Sequence, residues 1–495
     1  MLEQREKLDT ALREGRSGFQ RFHVETHAAP ARRQQPRPFN PRIGKTGLAK
    51  FLIRETFHYG LKLGRKEYRR ALLSRPCIYG VFSGRFGGFH PIKDRCTGCL
   101  RCVQEFPSFC RVDRNPEFYK FADSYWVPDD PSTATFSQSP VATVWYEAST
   151  GKIPVKGMGY KGSFGGRGWD SIWTDMSEIV RPTRDGVYGR EYISTLVDVG
   201  RKPKFLSFGQ TGKASRTLEI SMPIIFDYLP PGLNNPYILN SIGATAKRTG
   251  SLFIASPDQA GQLAQDYWDR MVPLLSSSDY AKNRDLILEA PAVELRTPDL
   301  GLLQKVREIN PKVPVSVRLP LAERVDDTAA ELTREDVDII HVYANYHGRG
   351  WEQDNPLFVK DLLRSVHGRL VKESLRDEVT VIASGGIILA EHVPKAIICG
   401  ADLVALDTTP LVALQMEFLG DCKSQNDGRI RPEKLDVKWG EQRLVNLIAS
   451  WHDQLIEILS AMGMRDVRRL RGDVGRAMFQ EEIEKEAFAD IVHRA

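Results

Sequence analysis

The chain has 495 residues, 41% of them hydrophobic and 27% charged, with a formal net charge of +6. That length buries a large core and suggests roughly two to four domains. Four of the seven cysteines fall within fifteen residues, clustered as ligands instead of spread as a disulfide framework, and no apolar run approaches the roughly 18 residues that span a bilayer. The expectation is a cytoplasmic protein in a reducing compartment, with no transmembrane segment; the start, MLEQREKLDT, has no apolar core of a signal peptide.

Residues 1–75 form a basic N-terminal arm and helix, with 18 Lys and Arg against 7 Asp and Glu, so the remainder is net acidic. Residues 28–45, rich in Pro, Arg and Gln, read as a linker or a strap over a partner, and residues 48–73 as a basic amphipathic helix. A solvated arm or a docking segment for an acidic protein surface suits this charge. No aromatic interleaving suggests a nucleic-acid platform, so no nucleic-acid partner is expected.

Residues 76–125 read as a ferredoxin-like [4Fe-4S] module. Cys96-Thr-Gly-Cys99-Leu-Arg-Cys102 has the C-x2-C-x2-C spacing that wraps a cubane, and Gly98 permits the tight curvature. Zinc also accepts four thiolates, but its ligands usually come as two separated pairs. The place of the usual fourth cysteine before proline is Phe106-Pro107, so the fourth ligand is Cys110, preferred for its nearness, or Cys77 reaching back.

Residues 126–200 form an irregular connector. Its stretch Lys161 to Trp169 reads as a loop draped over the next domain more readily than as a phosphate cradle, and Glu178 with Arg181 to Arg190 leads onward.

Residues 201–439 read as a TIM (β/α)8 barrel of the α/β class. Strands are expected at Ala290–Leu295, Val313–Leu319, Asp338–Tyr343, Val379–Ala383 and Leu403–Leu406, with helices at Asp299–Asn310, Thr328–Glu335 and Glu391–Cys399. Barrel chemistry sits at the C-terminal ends of strands, with phosphate held after the last two. That selects Arg318, the loop Asn345 to Gly350 with His347 and Arg349, the loop Ser384-Gly385-Gly386, and Asp407-Thr408-Thr409. A plain α/β turn, a surface ion pair for Arg318 and an ordinary polar loop around His341 and His347 are the bland alternatives. A C-terminal helical cap is expected over 440–495. No G-x-G-x-x-G fingerprint occurs, so direct NAD(P)H use is not supported.

From about Arg201 to Arg476 the chain resembles the FMN-binding domain of the glutamate synthase large chain, particularly short archaeal-type members with a ferredoxin module in front. The residues that carry this are Ile382-Ala-Ser-Gly-Gly386, Lys395-Ala396, Gly400-Ala401-Asp402, and the tail Glu457 to Met464 through Leu470-Arg471-Gly472. The resemblance implies FMN with its phosphate on Ser384, Gly385, Gly386, Gly400 and Ala401, and Arg318 in the place of a family lysine beside the flavin. Two family motifs are altered, to Tyr228-Leu-Pro-Pro-Gly-Leu-Asn234 and Ala255-Ser-Pro-Asp-Gln259, and the family's later cysteine cluster is reduced to Cys422.

The function expected is therefore an FMN and iron-sulfur oxidoreductase that is glutamate-synthase-like. It would be fed by ferredoxin or a partner redox subunit within a homo- or hetero-oligomer, with Arg349 anchoring a carboxylate and His347 acting as acid on an imine or carbonyl. The alternative is a non-catalytic electron-transfer or assembly subunit whose altered loops no longer serve a substrate.

Overall fold

The computed structural model describes residues 24–32, 39–44, most of 77–116, 140–153, 168–174, 193–202, 216–351, 357–419 and most of 428–486. They fall into two compact units: Pro30–Glu147 with Ile153–Phe164, and a larger one containing Gly165–Ala495. Of the basic helix expected within 48–73 only Ala49 and Ile53 are described, both helical; residues 161–167, Glu178, Arg181–Arg190 and Cys422 lie outside the described residues.

In the smaller unit, β1 (Phe39–Ile43) pairs antiparallel with β2 (Cys110–Arg114), Ile43 opposite Cys110. The segment read as a strap thus contributes a strand. Its Pro41 is tolerated because a two-stranded ribbon leaves one edge of each strand unpaired. The Phe39 ring packs on Gly98, where φ is +71° and a Cβ would fall 2.3 Å from the ring, so both backbone and space demand glycine. A turn at Lys93–Arg95 and the short helix α1 (Arg101–Glu105) complete the loop, over a small core of Val81, Phe82, Cys102 and Cys110.

In the larger unit, β3 (Ile172–Thr174) pairs with the strand Ala477–Phe479, and β4 (Val197–Arg201) forms a hairpin with β5 (Arg216–Ile220). Eight parallel strands then close into a barrel in chain order: β6 (Ile224–Phe226), β7 (Phe253–Ala255), β8 (Met271–Leu275), β9 (Val293–Leu295), β10 (Val315–Pro320), β11 (Ile339–Tyr343), β12 (Thr380–Ser384) and β13 (Leu403–Leu406). Val404 opposite Ile224 makes the closure. These short, β-branched, doubly covered segments are what parallel strands require.

The outer helices are α2 (Pro236–Thr249), α3 (Pro257–Ala260), α4 (Arg284–Glu289), α5 (Leu300–Ile309), α6 (Val325–Arg334), α7 (Val359–Lys372), α8 (His392–Ile398) and α9 (Thr409–Ala413). Helix α2 shows why they start and stop: the Asn235 side chain accepts from the Tyr237 and Ile238 amides at 3.0 Å, Pro236 opens the first turn, and left-handed Gly250 ends it. A long helix, α10 (Val437–Ala461), lies along α2, with Gly440 so close to Ser241 that a Cβ would fall 2.3 Å from its Oγ.

The β4–β5 hairpin packs on the N-terminal ends of the strands: the Thr380 hydroxyl accepts from the Gly200 amide at 3.0 Å and donates to its carbonyl at 2.9 Å. Arg201, Arg216 and Arg307 surround Asp336 and Asp338 at the same end. Charge there locks the barrel's base, which leaves the opposite mouth for chemistry.

Candidate functional site

At the C-terminal mouth the loops after β12 and β13 are joined directly, the Thr409 hydroxyl donating to the Ile387 carbonyl at 2.6 Å. The loop after β11 packs on the first of these. At Gly386, with φ +71°, a Cβ would lie 2.6 Å from Gly348 Cα, and at Gly385 one would lie 2.7 Å from Ala344 Cβ. Both glycines therefore have a packing reason to be glycine. The Asn345 side chain holds its own loop, accepting from the His347 amide at 2.9 Å and the Arg349 amide at 3.0 Å. Ser384, Gly385, Gly386, His347, Arg349, Asp407 and Thr408 thus gather at one mouth.

Gly400 and Ala401 do not join them. They precede β13 and so stand at the other end of the barrel, where Gly400 packs on His367 with a Cβ position 2.3 Å from the His367 Cβ. Residues on either side of one strand are separated by the strand's length.

Arg318 is 3% exposed and lies inside the mouth. Its guanidinium donates to both oxygens of Asp227, at 2.6 and 3.0 Å, and to Glu294 at 3.2 Å, and it sits 4.5 Å from the Tyr343 ring centroid. Glu294 also meets His341 Nδ1 at 2.8 Å, and His341 Nε2 meets the Ser384 hydroxyl at 3.0 Å. The carboxylate, imidazole and hydroxyl have the spacing of a proton relay, but all three are sealed from solvent. Burial works against ionisation of Asp227, yet Arg318 and His341 outweigh it and hold the carboxyl below its usual range. Among the described residues no cation pairs with Asp407. Burial, with Asp227 nearby, pushes its carboxyl up to about 7 despite hydrogen bonds from Thr408.

Sequence reasoning missed Asp227, Glu294, Arg296 and Trp169. Glu294 was detectable as a charge inside a buried strand; Asp227 stands directly after one. Exposed Arg296 follows β9 and lies 5.1 Å from the Tyr228 ring. Trp169 donates from Nε1 to the Gly386 carbonyl at 3.0 Å and stacks on His392, while Lys395 Nζ donates to the Trp169 carbonyl at 2.7 Å.

In the smaller unit, Cys77, Cys96, Cys99 and Cys102 line one pocket that is partly open to solvent. Burial, with Cys102, Cys77 and Cys99 crowding it, pushes the Cys96 thiol up to about 12. Cys102 and Cys110 share a hydrogen bond that lowers the former and raises the latter. Among the described residues no three His, Cys, Asp or Glu side chains converge on a single metal ion. A cubane asks for a wider ring of thiolates than one ion does, and four sulfurs around a shared pocket fit that donor set.

The closed parallel barrel with its mouth of loops after β11, β12 and β13 defines a (β/α)8 protein of the kind that carries chemistry at the C-terminal face. Within it, residues 282–465 match the family model described as the conserved region in glutamate synthase, and the resemblance read from the sequence is borne out. The chain is 22% identical over 450 residues to the archaeal-type glutamate synthase (NADPH) of Dehalococcoides mccartyi, covering 77% of this chain and 86% of that one. It is 24% identical over 407 residues to the archaeal glutamate synthase (NADPH) of Methanocaldococcus jannaschii, covering 67% and 79%. Among solved structures, a soluble mutant of the (S)-mandelate dehydrogenase from Pseudomonas putida superimposes with a TM-score of 0.40 at 14% identity, over 63% of this chain and 88% of that one. Nothing about chemistry follows from a likeness that loose. Among the described residues no helix is long and apolar enough to cross a membrane.

Proposed function

We propose that the chain is a glutamate-synthase-like oxidoreductase in which a [4Fe-4S] cluster on the cysteine run delivers electrons to FMN at the barrel mouth. The observation that carries the flavin is the Thr409–Ile387 bond, which joins the loops after β12 and β13 within the segment matching the glutamate synthase conserved region. The Gly385 and Gly386 amides and the Thr408 hydroxyl would hold the phosphate, beside Ser384. Asp407, its carboxyl pushed up to about 7 by burial, opposes an anion less than an ordinary carboxylate would. Gly400 and Ala401, at the far end, have no part in this cradle. Bound there, FMN supplies the exchange between one-electron and two-electron chemistry.

The chain's own residues do the rest. Trp169, over Gly386, keeps water from the glycine loop. Arg349 and Arg296 are cations suited to anchoring a carboxylate, and His347 is the group to protonate an imine or carbonyl acceptor. Electrons would arrive from ferredoxin or a partner redox subunit.

The test is the absorbance of anaerobically purified protein before and after dithionite, with acid-released flavin identified and iron counted. FMN at about one per chain beside a bleachable cluster is expected; a cluster without flavin overturns the oxidoreductase reading.

A second reading, a non-catalytic electron-transfer or assembly subunit, is favoured by one observation. Arg318, the cation expected to face the flavin, is already neutralised by Asp227 and Glu294.

A further inference from the structure

We infer that Cys77, not Cys110, completes the cluster's thiolate set. The inference rests on the proposed cluster and deepens it.

Three observations separate the two cysteines. The first is placement: Cys77 lines the pocket together with Cys96, Cys99 and Cys102, whereas Cys110 is not among its lining residues. Cys110 is 1% exposed, opens β2 opposite Ile43 and lies behind the pocket in the apolar cluster of Val81, Phe82 and Cys102, against which Cys77 and Cys96 also pack.

The second is the company each sulfur keeps. Cysteines that hold iron-sulfur clusters commonly accept backbone N–H bonds, which spread the negative charge of the thiolate and tune the cluster's potential. The Cys77 sulfur is met by the Tyr79 and Val81 amides, Cys96 by the Gly98 amide, and Cys102 by its own amide and that of Val103. For Cys110 the hydrogen-bonding partner is Cys102.

The third is the loop that presents Cys77. The Gly80 amide donates to the Cys77 carbonyl at 3.1 Å, the Ser83 amide to the Gly80 carbonyl at 3.1 Å, and the Ile92 amide to the Val81 carbonyl at 2.7 Å. Gly80, at φ +69°, turns this loop so that the Tyr79 and Val81 amides face the Cys77 sulfur.

The experiment uses full-length wild type, Cys77→Ala and Cys110→Ala, each reconstituted anaerobically with iron and sulfide. Iron and sulfide are counted per chain, and the dithionite-reduced protein is examined by electron paramagnetic resonance. Wild type and Cys110→Ala are expected to hold about four irons and show a reduced [4Fe-4S] signal. Cys77→Ala is expected to lose at least one iron per chain and that signal.

If Cys77→Ala does not fold, Cys110→Ala decides alone: four irons retained supports Cys77, and iron lost overturns it. Four irons retained in Cys77→Ala overturns it as well. Wild type that takes up no iron, or a single zinc in its place, sinks the cluster reading itself and this assignment with it.

Discussion

Arg318 and Asp227, 91 residues apart in the chain, meet through two hydrogen bonds of 2.6 and 3.0 Å inside the barrel mouth, both side chains almost wholly buried. The arrangement turns a cation that could have served a flavin into half of an internal pair.

Removing one partner strands the other. Asp227→Ala is expected to destabilise the protein by about 3–5 kcal/mol, since an uncompensated guanidinium remains buried. Replacing both, Asp227→Leu with Arg318→Met, should recover most of that loss. Urea midpoints of the wild type and these two variants at one pH give the comparison.

Asp407 makes stability depend on pH in an unusual direction for a carboxylate. Its folded pKa, about 7, lies above its usual value, so the native state holds a proton that the unfolded chain releases. This contribution is fully present at acid pH and is lost as pH rises from the usual carboxylate range through about 7. Asp407→Asn should flatten that decline, and urea melts at pH 5 and pH 8 would reveal it.

His367 acts in the opposite sense. Burial, with Arg376 and Arg471 nearby, lowers its pKa to about 4, and Arg376 Nε donates to its Nδ1 at 3.1 Å. The neutral ring is therefore favoured in the fold. Its contribution is complete above the ordinary histidine value and is lost as pH falls from there through about 4. His367→Gln should lessen the loss of stability between pH 7 and pH 5, as read from thermal midpoints.

Gly400 is expected to tolerate no side chain. With φ +118° and a Cβ position 2.3 Å from His367, Gly400→Ala combines backbone strain with overpacking, at a cost of about 2–5 kcal/mol. Because the site is at the barrel's base, flavin content per folded chain should be unchanged. A fall in that ratio would return Gly400 to the phosphate cradle.

Trp169→Ala should cost about 3–5 kcal/mol from the emptied volume and loosen the Gly386 loop it caps. The accompanying expectation is faster loss of FMN on dilution, followed by flavin fluorescence.

The later strands were legible in the sequence because each is a β-branched run bounded by punctuation: Leu403–Leu406 agrees residue for residue, and Val313–Leu319 is observed as Val315–Pro320. The earlier ones were not delimited, since Ile224–Phe226 and Phe253–Ala255 have three residues each and no periodicity can develop over that length. At strand ends, Ser384, which closes β12, and Asp407, which follows β13, were legible, whereas Asp227 after β6 and Arg296 after β9 were not. Gly400 shows where motif adjacency misleads: it is near Asp407 in sequence, but a parallel strand intervenes and carries the two to opposite ends. The pairing of Arg318 with Asp227 was invisible, because partners that far apart are set by barrel closure.

That closure also orders events during synthesis. Strand β6 takes its second neighbour only when β13 emerges, about 180 residues later. At about 5–20 residues per second, one edge of Ile224–Phe226 goes without its partner for roughly 10–35 s. The barrel is thus assembled on a growing chain with one open seam, and any helper protein that protects it has to cover that edge until Leu406 leaves the ribosome.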